Sequence, residues 1–311
     1  MTSTNPAPTR DLHADPPVGE TDRVARRLAL ITVVVPALGF AAAVWTACLV
    51  GFTLFDLLVL AGMYLITSLG VEGGFHRMLS HRAFALRGPL LPLLAIAGCM
   101  AAQGPVLFWV ATHRIHHAFT DRDGDPHSPR PLGPGRLAVL SGLWHAHAGW
   151  LFTVRRTGWS KHVKDLFADR RLVRVDRYYF VWVALGLALP ALLGLVVVGG
   201  AWGALDGLLW GGLARIFLLD QATWSVNSIG HTWGARQYRT RDTSTNVGAL
   251  AVVTVGGSWH NNHHAVPSSA FNRHRWWQLD LTGATVGLLE RLGLATDVRR
   301  SAPATARKER P

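Results

Sequence analysis

The sequence predicts an all-α membrane protein, with four transmembrane helices in two hairpins under a cytoplasmic helical cap. Three observations predict it. Of the 311 residues, 49% are apolar and only 16% are charged, against about 25% charged in an ordinary soluble domain. Four apolar stretches reach or approach the roughly 20 residues that a helix needs to cross a bilayer. Lys and Arg gather on one side of those stretches, and so do nine of the 15 histidines.

Taken in order, residues 1–27 read as a disordered cytoplasmic lead, Pro-, Thr- and Asp-rich at its start. No short apolar core with a cleavage site follows, so it is not a signal peptide. The first span, 28–51, carries no charge, and the second, 54–71, only Asp56. The third and fourth are 178–203 and 205–230. The fourth is the least regular, holding Asp206, Arg215 and Asp220. The stretch 88–111 is also apolar, but a fifth crossing would divide the histidine-rich segments between opposite sides. It is read as re-entrant or packed on the membrane face. The segments 72–177 and 231–298 form the cap of one domain, 28–298, and 299–311 is a disordered tail.

Arg10, Arg23, Arg26 and Arg27 precede the first span, and 72–177 and everything after 235 are rich in Arg. The two short turns, near 52 and 204, have neither Lys nor Arg. By the positive-inside rule both termini and the cap are cytoplasmic. The net charge of +12 then faces anionic lipid; nucleic-acid binding would need basic residues interleaved with aromatics on a solvated surface. An Arg- and Ala-rich, Lys-poor composition points to a bacterial cytoplasmic membrane. Cys48 and Cys99 lie in apolar stretches and read as small buried hydrophobes, too few for a disulfide framework.

The clusters are His76 and His81 in HRMLSH, His113, His116 and His117 in HRIHH, His231 closing the fourth span, and His260, His263 and His264 in WHNNHH. On a helix each H-x-x-H-H turns its first and last histidines towards one point. The middle one, about 100° from its neighbour, reaches a second. His76 and His81 share no face on a regular helix and need a bend, for which Gly73 and Gly74 supply flexibility. His127, His145 and His147 are weaker candidates, and His13, His162 and His274 read as solvated surface residues. Nine imidazoles exceed one coordination sphere and suit a dinuclear site with four or five nitrogens per metal. Imidazole alone does not choose among Zn, Cu, Fe and Ni. A zinc hydrolase would offer three ligands and a carboxylate base, and no H-E-x-x-H occurs. A histidine-rich site at a membrane surface suits oxidation of a lipid chain by iron and dioxygen.

In this order and context, HRMLSH, HRIHH, NSIGH and WHNNHH resemble the membrane-bound fatty acyl desaturases, nearest to the acyl-CoA Δ9 (stearoyl-type) branch. QGPVLFWVATHR, DGDPHSP, HAGWLF and WWQLDLTG add to the likeness, which spans about 28–298. It implies two iron ions on the nine histidines, with Asn227 acting through water. Gln103, Trp109, Thr223 and Trp224 would line a kinked acyl tunnel, and Arg114, Arg155 and Arg156 would lie near the head group of the carrier. One departure stands out. The family writes an acid in the last box, as in G-E-G-W-H, where this chain has GGSWH, residues 256–260. A carboxylate that would tune ligand basicity is therefore missing, with Asp242 a candidate to replace it in space.

The function so implied is insertion of a cis double bond into a saturated acyl chain on a carrier, using O2 and two external electrons. No G-x-G-x-x-G follows a strand, and two cysteines cannot hold an iron–sulfur cluster. The chain is expected to bind no flavin, NAD or haem, and to draw electrons from a ferredoxin, a rubredoxin or a haem protein. Two alternatives stay open: a diiron lipid or alkane hydroxylase on the same boxes, and an idle lipid-binding homologue.

Overall fold

The computed structural model describes residues 18–129, 135–153 and 158–300. These are mostly helical, and four helices are long and apolar enough to span a bilayer: Arg23–Val50, Leu54–Ser80, Tyr179–Val197 and Gly200–His231.

The first helix, α1 (Val18–Val50), starts ahead of the predicted boundary at 28. Residues 18–27 are thus helical, not part of a disordered lead. Ala25 and Ala29, one turn apart, are buried and carry the packing face back beyond the apolar run. Cys48 is exposed on this helix, contrary to expectation, while Cys99 is buried. Asp56 has a local purpose at the start of α2 (Leu54–Leu69). Thr53 Oγ1 accepts from Asp56 N at 3.3 Å, and Asp56 Oδ2 accepts from Thr53 N at 2.7 Å. That reciprocal pair satisfies amides the helix start leaves open.

The second span does not stop at Leu69. It runs on as a π-helical segment over Gly70–Ser80, followed by a two-residue strand, β1 (Ala85–Leu86). The apolar stretch 88–111 divides into α3 (Leu90–Met100) and α4 (Val106–Phe119), broken at 101–105. Eleven residues in α3 rise about 16 Å at 1.5 Å each, about half the hydrocarbon thickness. It lies against the π-helical segment, where a Cβ on Gly98 would stand 2.6 Å from the Phe75 ring and 2.9 Å from Gly70 O.

The chain continues with α5 (Arg136–His147), the short α6 (Lys164–Phe167) and α7 (Arg170–Arg177). The third span, α8 (Tyr179–Val197), ends before the predicted 203. Its turn falls at 198–199, not near 204, because Gly199 and Gly200 adopt φ of +96° and +63°, which glycine tolerates at little cost. The fourth span comprises α9 (Gly200–Gly207), π-helical Leu208–Ala214 and α10 (Arg215–Ser228), closing in a turn over Ile229–His231.

This span is the centre of the bundle. Packed against α1, α2 and α8, it is 61% buried over its most apolar window, against 17–39% for the other three. The central position accounts for its charges. Arg215 donates to the carbonyls of Met100 (2.7 Å), Gly186 (3.0 Å) and Gly211 (3.1 Å), joining three elements. The chain ends in α11 (His260–Ala265), α12 (Leu281–Arg291) and β2 (Ala295–Thr296), which pairs antiparallel with β1. Arg299 N donates to Ala83 O and Arg299 O accepts from Ala270 N, both at 2.9 Å. Residue 299 is therefore tied to the body and does not open a disordered tail.

Candidate metal centre

Histidines five apart meet here because the backbone is π-helical. His81 N donates to His76 O at 3.2 Å, an i to i+5 bond that brings these two over one another, with ring centroids 5.0 Å apart. On α4, His113 and His117 share a face and His116 looks elsewhere; on α11, His260 and His264 share a face and His263 looks elsewhere. The two helices oppose each other with these faces crossed. One group gathers His76, His81, His113, His117 and His263, the other His116, His231, His260 and His264. Within each group one ring nitrogen per residue lies within 4.8 Å of all the others. His117 and His264, one from each group, stack at 4.5 Å.

The donor chemistry fits metal ions. Nε2 atoms face each other directly: His81 and His113 at 2.8 Å, His76 and His263 at 3.1 Å, His117 and His263 at 3.1 Å, His231 and His260 at 2.9 Å. On the far side of four rings, Nδ1 meets a carboxylate: His76 with Glu72 at 2.9 Å, His116 with Asp125 at 3.0 Å, His231 with Asp121 at 3.1 Å and His264 with Asp242 at 3.0 Å. A carboxylate holds the proton on Nδ1 and leaves the Nε2 lone pair pointing inward. A cation in each group would take up these converging nitrogens together, where the rings alone can pair them only two by two. His264 Nε2 is buried without a partner among the described residues.

The electrostatics agree. Burial, followed by neighbouring histidines, holds His81, His113, His117, His260 and His263 well below the ordinary imidazole value. Burial brings His264 down to about 4 although Asp242 opposes it. These rings are neutral, the form that ligates. Burial alone would raise the Asp242 carboxyl, but hydrogen bonding and attraction to His264 hold it low. Asp125 with His116, and Asp121 with His231, follow the same pattern.

Two cavities adjoin the histidines. One lies beside Glu72, His76, Gly257 and His260; the other, of about 400 Å³, runs between α1, α8 and α10. Trp109, His113, Thr223 and Asn227 line both, and Gln103 and Trp224 line the second. Gln103 Nε2 donates to Thr223 Oγ1 at 3.0 Å. Trp109 stacks on His113 at 5.3 Å.

Arg114, expected near the head group of the carrier, is held by its own chain. All five of its N–H donors are engaged, on the carbonyls of Leu79, Ser80 and His162 and on both oxygens of Asp165, at 2.7–3.2 Å. It lines neither of these two cavities and braces the chain before His81. Arg155, Arg156 and His13 lie outside the described residues. His274 is not a solvated histidine, since its Nδ1 meets Tyr238 Oη at 3.0 Å. His147 bridges Ser228 and Gln221, both at 3.0 Å. His127 packs 4.3 Å from His116, and burial pushes it down to about 3.

Sequence reasoning named Asp242 but missed Glu72, Asp121 and Asp125. Their signal was position: each lies within nine residues of a box histidine, where a turn can fold back. Asp121 does so with φ +56°, which Asp tolerates better than most. The asparagines of WHNNHH were also missed. Asn261 clamps the backbone of Tyr238 through both amide atoms (2.7 and 3.0 Å), and Asn262 accepts from Asn246 Nδ2 at 2.7 Å.

The fatty acid desaturase family model matches residues 54–287. The chain is 43% identical over 243 residues to a hex-5-enoyl-[acyl-carrier protein] acetylenase of Moorena producens, covering 78% of this chain and 76% of that protein. It is 39% identical to an sn-1 stearoyl-lipid 9-desaturase of Anabaena variabilis (76% and 81% covered). With an acyl-CoA C20 Δ5-desaturase of Anemone leveillei it shares 38% (74% and 69% covered). Family model, relatives and histidine arrangement agree, and the chain belongs to the fatty acid desaturase family, as an oxidoreductase of desaturase type.

Proposed function

We propose that the protein inserts a cis double bond at the Δ9 position of a saturated acyl chain held as a thioester, with two iron ions on its nine box histidines. The observation that carries this reading is a cavity that runs from between α1, α8 and α10 to His113 and shares four wall residues with the cavity beside His76 and His260. An apolar chain entering between α1 and α8 would run past Gln103 and Thr223 to His113, with Trp109, His113, Thr223 and Asn227 as the wall common to both spaces.

Bound iron would supply oxidation of an unactivated C–H bond by dioxygen. Two hydrogens leave adjacent methylenes, and O2 takes them up with two external electrons and two protons to give two waters. A methylene has no chemical handle, so placement chooses the bond. That is the work of the cavity wall, where the Gln103–Thr223 pair and Trp109 fix the path beside the rings. Glu72, Asp121, Asp125 and Asp242 hold the imidazoles in orientation.

The spans are read as two hairpins, with both termini and a cytoplasmic cap on one side of a bacterial membrane. Lys and Arg flank the spans on that side and are absent from the turns at 51–53 and 198–199. A basic cap would attract an acidic electron donor, such as a ferredoxin, rubredoxin or haem protein.

Expression in a host lacking its own desaturase, with saturated and monounsaturated chains supplied on coenzyme A, acyl carrier protein and glycerolipid, tests the reading. A new Δ9 alkene, and about two irons per chain in the purified protein, is the expected result. Hydroxylated chains would favour the hydroxylase alternative, and a triple bond from a monounsaturated chain would replace the saturated substrate by an alkene. Unchanged lipids from an iron-loaded, reduced enzyme would leave only lipid binding.

A further inference from the structure

We infer that Glu72 is a positioning carboxylate for the five-histidine group, filling from the second span the space into which an acid at residue 257 would project. The inference rests on the reading of the histidines as a metal centre.

Glu72 divides its two oxygens. Oε2 meets His76 Nδ1 at 2.9 Å. Oε1 accepts from Arg77 Nε (3.1 Å) and its terminal nitrogen (3.0 Å), and from Asn272 Nδ2 (3.3 Å). Arg77 is in turn held by Asp280 at 2.9–3.1 Å, so a buried chain runs Asp280–Arg77–Glu72–His76. Among the described residues Glu72 is the one acid on Nδ1 of any histidine in the group of five; the other three paired acids serve the group of four.

The second observation lies across the cavity. A Cβ added at Gly257 would stand 3.2 Å from Glu72 Oε2 and 3.4 Å from Glu72 Cδ. Gly257 lies outside the left-handed region, so its φ suits a side chain, which must also clear Thr254 O at 3.2 Å. Gly256 differs: its φ is +99° and a Cβ would overlap Asp280. A residue-257 carboxylate and the Glu72 carboxylate would therefore compete for one volume beside His76. Two like charges in one buried space repel strongly, so the site takes one acid. GGSWH lacks an acid in the last box because the second span already delivers it.

The test is a transplant. Glu72→Ala, Glu72→Gln, Gly257→Glu and the double variant Glu72→Ala/Gly257→Glu are purified in iron-loaded form. Iron retained against a chelator, thermal stability of the metal-free protein, and kcat with KM are measured for each. Loss of a partner behind a ligand typically costs about 10- to 100-fold in metal affinity. Glu72→Ala is expected to show that loss, Glu72→Gln to show it with metal-free stability kept, and the double variant to regain most of the affinity. Gly257→Glu alone should fall below wild type. Full iron affinity in Glu72→Gln, or no recovery in the double variant, would overturn the assignment and leave Glu72 as a partner of Arg77 only. A wild-type chain that takes up no iron would sink the metal-centre reading itself. Two irons in wild type with a failed transplant sinks only this inference.

Discussion

Asp242 Oδ2 lies 3.0 Å from Nδ1 of His264, and the carboxylate is also braced by Ser244, whose N donates to Oδ1 at 3.0 Å. The arrangement fixes both the tautomer and the tilt of the ring. Asp242→Asn keeps the shape but removes the charge, so the protein should still enter the membrane while metal affinity or turnover falls about 10- to 100-fold. Iron content after dialysis and product per iron measure it. Unchanged values in both would show that Asp242 only braces the loop.

The two histidine groups differ in number, five against four, and this orders their tolerance. His264→Ala leaves three ligands in its group; His117→Ala leaves four. Both should abolish product, but His264→Ala should lose more iron. His162→Ala, outside both groups, should change stability by no more than about 0.5 kcal/mol, as surface changes usually do. Iron per chain ranks the three. Equal retention in the two site variants would mean that the groups do not act as separate coordination spheres.

Orientation can be read with tags. Insertions at residue 5, near residue 160 and at the C-terminus should report the cytoplasmic side, and one between Val198 and Gly199 the opposite side. Reporter fusions and cysteine accessibility both measure this. Disagreement between the tags near 160 and at the C-terminus would require an odd number of crossings between them, two of which are assigned to α8 and the fourth span.

Arg114 separates bracing from substrate binding. Removing it strands the carbonyls of Leu79 and Ser80, and each buried group left unpaired costs about 1–3 kcal/mol. Arg114→Ala should lower the melting temperature and, by loosening the chain before His81, reduce iron retention, while KM for the acyl carrier holds. Arg114→Lys should not rescue, since an ammonium cannot reproduce five planar donors. A raised KM at unchanged stability would return Arg114 to the head group.

Much of this molecule was legible in the residues, for reasons that differ by element. The grouping of the histidines followed from helix geometry alone: first and last to one group, middle to the other, on both α4 and α11. Asp242 was named as a substitute for the missing acid, and it does meet a histidine, but that histidine is His264 of the group of four, while the acid facing Gly257 is Glu72. What could not be read was set by tertiary packing. The π-helical run at Gly70–Ser80 replaces a vaguer bend, and its close contact with Gly98 lies on another element. Arg215 looked like a flaw in a span until three carbonyls from different helices surrounded it. Glu72, the first residue past the predicted second span, lay unremarked because its partner space, at Gly257, is 185 residues away.

The last prediction concerns the choice of bond. Gln103, in the break between α3 and α4, donates to Thr223 on α10 at 3.0 Å. The pair ties two elements together beside the wall common to both cavities. Thr223→Val keeps the volume and removes the acceptor, and Gln103→Leu removes the donor. Either change frees the wall without touching a histidine, so iron content should stay at wild-type level. An acyl chain sliding along a looser wall presents neighbouring methylenes to the same rings, and small misplacements of this kind can cost about 10²-fold in rate. The expected outcome is a mixture of double-bond positions with total turnover reduced, and the two variants combined should do no more than either alone, since they break one bond. Gas chromatography of derivatised products resolves the positions. A single isomer at wild-type rate in both variants would show that the path is fixed elsewhere, with the stacked Trp109 and His113 as the remaining wall.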